Sequence, residues 1–160
     1  MRKLILIGFG LLSGLLVNSQ EGLPAGAMAP DIALKSVNED TVRLSSLEGK
    51  IVYLYFWASW NGPSFKEFED LQKLYLSYKS MGFEIFSVSL DREKDEWVKA
   101  VRENRISWIN VSELNYWYSK AVEQYSIESI PNGLLIDRKG TILKNGIRVG
   151  ELKTSLTELF

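Results

Sequence analysis

The stretch "FWASWNGPSFKEF", residues 56–68, decides how this chain is read. It opens at the end of an apolar run, Ile51 to Trp57, and crosses Trp60, Asn61, Gly62, Pro63 and Ser64. It then enters a segment in which Phe65, Phe68, Leu71, Leu74, Tyr75 and Tyr78 recur at three- and four-residue steps. An apolar run without alternation suits a strand covered on both faces, and the three/four spacing marks one face of a helix. Asn is among the best N-cap residues, and its side-chain oxygen can accept the backbone N–H of Ser64. Pro63 has no N–H to leave unsatisfied and suits a first helical turn. The stretch therefore predicts a central strand, a tight turn, and a helix from Pro63 to about Lys79 that ends at Gly82.

Outward from that junction the same patterns continue. Ile32 and Leu34 alternate with polar residues, "SVNED" reads as a turn, and Val42 and Leu44 alternate again, which predicts an amino-terminal hairpin. "FEIFSVSL" is a second buried-type strand, after which Asp91 is expected to open a helix through Trp97 and Val101 that stops near Asn104. "ISWINV" is short and extended, and a further helix is expected over Tyr116 to Tyr125. "SIESIPNGLLIDRKGTIL" predicts a Pro-led strand, a turn at residues 137–140 and an antiparallel partner strand. A last helix carries Leu152, Leu156 and Leu159 on one face. Strand, helix, strand implies a parallel crossover and the later hairpin adds an antiparallel edge, so the fold class is α/β: a mixed central sheet flanked by helices. Ligands of such folds gather at the carboxyl ends of central strands, here Trp60 to Ser64.

At 160 residues, with 46% hydrophobic and 24% charged residues, the chain is large enough for one core and shows no repeat or second domain. Its start, "MRKLILIGFGLLSGLLVNS", has two basic residues, an apolar run and a small-residue cleavage spacing. We read residues 1–19 as a secretory signal, 20–29 as a Gly/Pro/Ala-rich linker and 30–160 as the domain. A retained anchor is the alternative, but the run Leu4 to Val17 is shorter than the roughly 18 residues a spanning helix needs, and Gly8, Gly10 and Gly14 weaken it. After cleavage no stable membrane span is expected, and no cysteine is present for a lipid anchor. The expected location is the periplasm or cell envelope of a bacterium.

Removing the leader leaves 17 basic against 20 acidic residues, a net charge of −3, which argues against nucleic acid as a partner. The absence of Cys and His excludes a thiolate nucleophile, a disulfide, a Cys/His zinc site and a Ser-His-Asp relay built from this chain alone. No cofactor or metal is expected.

The order of "FWASWNGPSFKEF", "FEIFSVSLDREKDEW" and "YSIESIPNGLLIDRKGTIL" resembles the thioredoxin-like family. The likeness is greatest to its exported branch of TlpA-like and AhpC-TSA-type redoxins and thiol-disulfide oxidoreductases, and it runs from about Ala29 to the end. The resemblance implies a thioredoxin-like fold with an amino-terminal hairpin and a helical insertion before a strand led by a cis proline. In the family the positions matching Asn61 and Ser64 are cysteines, so the departure falls on the atoms that perform disulfide exchange. The strand position that often holds a buried carboxylate is Tyr55 here, and a Glu typical of the exported branch is matched by Glu67. Glu67 reads as a relic of proton handling or a partner contact, or as an ordinary acidic residue of a helix's first turns. Ser64 as a nucleophile would need a base, with only Lys66 or Glu67 nearby in sequence, and an anion at the helix start is disfavoured by Pro63 and Glu67.

By resemblance the Ile130-Pro131 bond is cis and lies against the motif, exposing the backbone before the proline as a strand edge; alternatively Pro131 only shapes its loop. Trp60 is placed at the rim of this groove, while Trp97, Trp108 and Tyr116, Trp117 and Tyr118 read either as a recognition surface or as core. These readings leave three functions open. One is a redox-inactive protein that binds a polypeptide or envelope partner through Trp60, Asn61, Gly62, Pro63, Ser64, Glu67, Ile130 and Pro131. Another is an oxidoreductase or redoxin whose thiols come from a partner, or whose cysteines were replaced by an experimenter. The third is a structural subunit of an envelope complex.

Overall fold

The computed structural model describes residues 22–160, so the signal expected over residues 1–19 lies outside the described residues. In chain order the strands are β1 Ala33–Ser36, β2 Thr41–Arg43, β3 Ile51–Trp57, β4 Phe83–Ser89, β5 Ile109–Ser112, β6 Asn132–Ile136 and β7 Ile142–Ile147. The helices are α1 Gly62–Tyr78, α2 Lys94–Glu103, α3 Lys120–Gln124 and α4 Val149–Leu159.

One sheet carries all seven strands in the order β2-β1-β5-β4-β3-β6-β7. β3, β4 and β5 run parallel, with Ile51 opposite Phe83 and Phe86 opposite Ile109, while the hairpins β1-β2 and β6-β7 join antiparallel. This is the thioredoxin-like α/β arrangement, with β3 and β4 central because every residue of both is buried.

The alternation of side chains along β3 divides the core in two. Val52, Leu54 and Phe56 face a cluster with Leu134, Ile136, Leu44, Leu47 and Tyr125, closed by α3 and the short helix Leu44–Leu47. Tyr53, Tyr55 and Trp57 face Phe68, Leu71, Tyr75, Trp97, Leu152 and Leu156 under α1, α2 and α4. Burying a large apolar side chain stabilises by roughly 1.5–3 kcal/mol, so this double layer accounts for the unbroken apolar run of β3 and for Phe83, Ile85, Phe86 and Val88 of β4. One close approach fixes a residue type: a Cβ on Gly133 would lie 2.1 Å from the Tyr53 hydroxyl, which donates to the carbonyl of Ile147 at 3.0 Å.

Several elements differ from expectation, each for a local reason. Part of the lead read as a linker is docked: Gly26 and Ala29 donate to the carbonyls of Ile142 and Gly140, Ile142 donates back to Ala27, and Leu23, Ala27 and Ala29 pack on the core. Asp91 does not open α2, which starts at Lys94, because its carboxylate is turned inward. The helix expected over Tyr116–Tyr125 is split into a 3-10 turn, Tyr116–Tyr118, and α3. The break falls at Ser119, whose backbone is extended while its hydroxyl and the N–H of Ala121 both donate to Glu113. On α4, Leu152 and Leu156 are buried but Leu159 is exposed in the last turn. No helix among the described residues is long and apolar enough to cross a membrane.

Candidate functional site

The site forms where β3 ends and α1 begins. Asn61 is the N-cap: its backbone is extended and its Oδ1 accepts the N–H of Ser64 at 3.0 Å. The same oxygen accepts the Ser64 hydroxyl at 2.8 Å, and the amide Nδ2 reaches the carbonyl of Ile130 at 3.4 Å. One carboxamide thus closes the helix start, satisfies a buried hydroxyl and touches the loop that leads into β6. The Ile130–Pro131 peptide bond is cis. Trp60, Gly62 and Pro63 are exposed, Asn61 and Ile130 are half-buried, and Pro131 is buried behind them.

Ser64 and Glu67 do not reach the surface of this groove. Ser64 is fully buried and its proton goes to Asn61, so neither Lys66 nor Glu67 is its partner. That arrangement gives no nucleophile. Glu67 is not an ordinary acidic residue of a helix surface: it is buried, accepts the Tyr55 hydroxyl at 3.1 Å, and pairs with Arg148 Nε at 2.5 Å. Tyr55, where the family resemblance implies a buried carboxylate, is instead a phenol on β3 that donates to a carboxylate 12 residues further on, in α1. Burial, and then the charge of Glu67, push the Tyr55 hydroxyl far above its ordinary pKa, so it remains the donor of this pair.

Asp91, which the sequence reading assigned to a helix start, is the carboxylate that shapes the turn. It lies just beyond β4, is 1% exposed, and accepts the Ser59 N–H at 3.1 Å, the Ser59 hydroxyl at 2.6 Å and the Ser89 hydroxyl at 2.6 Å. Those bonds hold the Ala58–Trp60 turn and with it the Trp60 ring, which packs against Tyr116 with ring centroids 5.4 Å apart. Arg92 in turn lies over Tyr116, 4.7 Å from its centroid. The aromatics therefore divide: Trp97 and Trp108 are core, whereas Trp60 and Tyr118 are 47% and 75% exposed and Tyr116 is half-buried between the groove and solvent. The signal for Asp91 was present as an Asp directly after a buried strand, but its partner Ser59 lies 32 residues away. Among the described residues no group of three or more His, Cys, Asp or Glu is placed to hold a metal ion.

With this geometry in view, residues 25–145 match the AhpC/TSA family. The chain belongs to the AhpC/TSA family. Within that family it is similar to the thiol-disulfide oxidoreductase ResA of Bacillus subtilis, 28% identical over 125 residues that span 78% of this chain and 68% of the relative. ResA of Oceanobacillus iheyensis is 50% identical over a shorter run of 70 residues, 41% of this chain and 36% of that protein. Among solved structures, the thioredoxin domain of a thiol-disulfide oxidoreductase from Bacteroides vulgatus superposes with a TM-score of 0.80 at 30% identity, covering 86% of this chain and 98% of that one. A thiol:disulfide interchange protein DsbE from Chlorobium tepidum, described as putative, gives a TM-score of 0.76 at 29% identity over 86% and 96% of the two chains. This AhpC/TSA member differs from what those names describe in one respect: it has no cysteine anywhere in its sequence.

Proposed function

We propose that this protein is an exported, thiol-free redoxin-family protein that binds an extended polypeptide or envelope partner in the groove between Trp60–Pro63 and Ile130-Pro131, without electron transfer. The observation that carries the reading is the Asn61 carboxamide. It keeps the helix start capped and bridges to the Ile130 carbonyl, so the two walls stay together although no sulfur is present to react. Thiol exchange needs an attacking thiolate and a resolving sulfur, which an amide and a buried hydroxyl cannot replace. Docking would be strand-like, with the long 3.4 Å contact at Ile130 exchanged for a partner N–H and with Trp60 as the aromatic anchor. Ser64 and Glu67 support the groove from behind and do not touch the partner.

The test is crosslinking capture from the native envelope with the mature chain beside a Trp60→Ser variant shown by circular dichroism to be folded, with crosslinks mapped by mass spectrometry. A partner held by the parent, lost with the variant and crosslinked near residues 60–63 and 130 supports the groove. The same partner on both chains moves the interaction to another surface, as a structural subunit requires, and capture by neither chain removes the proposal.

The names of the relatives favour a second reading, in which the chain assists disulfide exchange between thiols supplied by a partner. It requires that the protein accelerate exchange between two thiol-bearing peptides, and a rate equal to that of buffer excludes it.

A further inference from the structure

The segment between β5 and α3 carries two residues in the left-handed backbone region that glycine favours, Leu114 at φ 53° and Tyr116 at φ 56°. Asn115 between them, a residue type that tolerates that region, lies outside it at φ −120°. Hydrogen bonds hold the segment in this shape. The Leu114 N–H donates to the Ser112 hydroxyl at 3.0 Å, Asn115 Nδ2 to the Tyr118 carbonyl at 2.9 Å, and the Ser119 hydroxyl and Ala121 N–H to Glu113. Leu114 packs on the core cluster that contains Trp97, and Trp117 on the one that contains Phe56. Tyr116 joins neither cluster. Its half-buried ring lies against Trp60 with centroids 5.4 Å apart and against Trp117 at 6.2 Å, and the Arg92 guanidinium is 4.7 Å from its centroid.

We infer that Tyr116 is a positioning residue for the groove: it fixes the Trp60 ring at the rim, so that a docking polypeptide meets an aromatic face already in place. The inference rests on the groove reading and deepens it by naming what orders its anchor. A strained backbone at a bulky residue persists only where the surrounding structure over-determines it. Here the left-handed turn carries the ring away from both core clusters and toward Trp60 and Arg92. Packing in the core does not account for Tyr116, because glycine or asparagine would make the same turn with less strain. A tryptophan that is 47% exposed and lacks such a brace samples several rotamers, and a partner must then immobilise it on binding. The two residues that follow β4 support Trp60 by separate routes. Asp91 accepts the Ser59 N–H and hydroxyl and so holds the backbone of the turn, while Arg92 lies over the ring that braces the indole.

The test follows the indole N–H signals of the nitrogen-15-labelled mature protein by NMR, with Trp60 assigned by its loss in Trp60→Ser, and compares the parent with Tyr116→Asn and Tyr116→Phe. Asparagine keeps the left-handed turn, and an unchanged signal from Trp97, whose cluster Leu114 joins, shows that the segment stays in place. The heteronuclear NOE of Trp60 should match that of the buried indoles in the parent and in Tyr116→Phe, and fall in Tyr116→Asn. In crosslinking capture from the native envelope, half-maximal capture should need about three- to tenfold more Tyr116→Asn than parent, as expected for one side chain left to be ordered on binding, and Tyr116→Phe should behave as the parent. A Trp60 as ordered in Tyr116→Asn as in the parent overturns the inference, and so does unchanged capture by a chain whose Trp60 is mobile. Capture by no chain overturns the groove reading instead, and the NOE alone then decides whether Tyr116 holds Trp60.

Discussion

Replacing Asn61 with alanine isolates what this residue does at the position where the family resemblance implies a cysteine. Asn61→Ala removes the N-cap bond to the Ser64 N–H, which is worth about 1 kcal/mol. It also strands the Ser64 hydroxyl, which is fully buried and whose proton goes to Asn61 Oδ1 at 2.8 Å; an unmet buried donor costs about 1–2 kcal/mol more. The 3.4 Å contact with Ile130 is too long to add much to stability. The expected loss is therefore about 2–3 kcal/mol, or roughly 10 °C in Tm for a domain of this size.

The distinguishing result is a rescue. Ser64→Ala added to Asn61→Ala removes the stranded hydroxyl, so the double variant should be about 1 kcal/mol more stable than Asn61→Ala alone, and Asn61→Ser should stay near the parent because it still caps. Urea unfolding followed by circular dichroism measures all four chains. If the double variant is no more stable than Asn61→Ala, the Asn61–Ser64 pair does not hold the helix start together.

Four further outcomes are expected. Gly133→Ala should destabilise by about 2–4 kcal/mol, since its Cβ must displace the buried Tyr53 and break the bond to Ile147; a loss under 0.5 kcal/mol by urea denaturation would contradict that packing. Tyr55→Phe should cost about 1–2 kcal/mol by leaving the buried Glu67 one donor short, and an unchanged unfolding midpoint would refute the pairing. In alkali, burial holds the Tyr53, Tyr55 and Tyr125 hydroxyls well above the ordinary range and pushes Tyr75 up to about 12. Because the unfolded phenols ionise near pH 10, this stabilisation is complete below that value and falls as pH rises toward 12; absorbance at 295 nm should show the four ionising together with loss of structure, and their ionisation in a still-folded chain at pH 10.5 would count against it. Asn61→Cys combined with Ser64→Cys should close a disulfide under glutathione, seen by intact mass as the loss of two hydrogens, whereas a chain that stays reduced would mean the turn has drifted from its relatives' geometry.

What the sequence discloses, and what it hides, follows the range of the interactions. β3 is legible because a strand covered on both faces carries an unbroken apolar run, β4 because Phe83, Ile85, Phe86 and Val88 dominate it although Glu84, Ser87 and Ser89 interrupt them, and α1 because its buried side chains recur at helical spacing and Asn61 caps it. The departure at Asn61 and Ser64 is legible for the same reason, since the surrounding pattern is intact. Glu67 was not, because the residue that changes its meaning, Arg148, lies 81 positions away. Asp91 resembled a helix cap because Asp after a strand commonly is one; here the hydroxyls of Ser59 and Ser89 and the N–H of Ser59 turn it inward. The split at Ser119 depends on Glu113, which supplies from outside the acceptor that keeps the second piece from joining the first.

The docked lead has a practical consequence. Residues 26–29 pair along residues 140–142, at the outer side of the start of β7, with Met28 bridged to Thr141 and the Ile142 amide engaged. A truncated version beginning at Asp31 would keep every strand of the sheet yet bare that border, inviting a neighbouring molecule to pair there and form aggregates. An expression boundary drawn at the sequence likeness that begins near Ala29 would cut away most of the strip that keeps the molecule apart from its own copies, whereas one drawn at the family match, which begins at residue 25, would keep it.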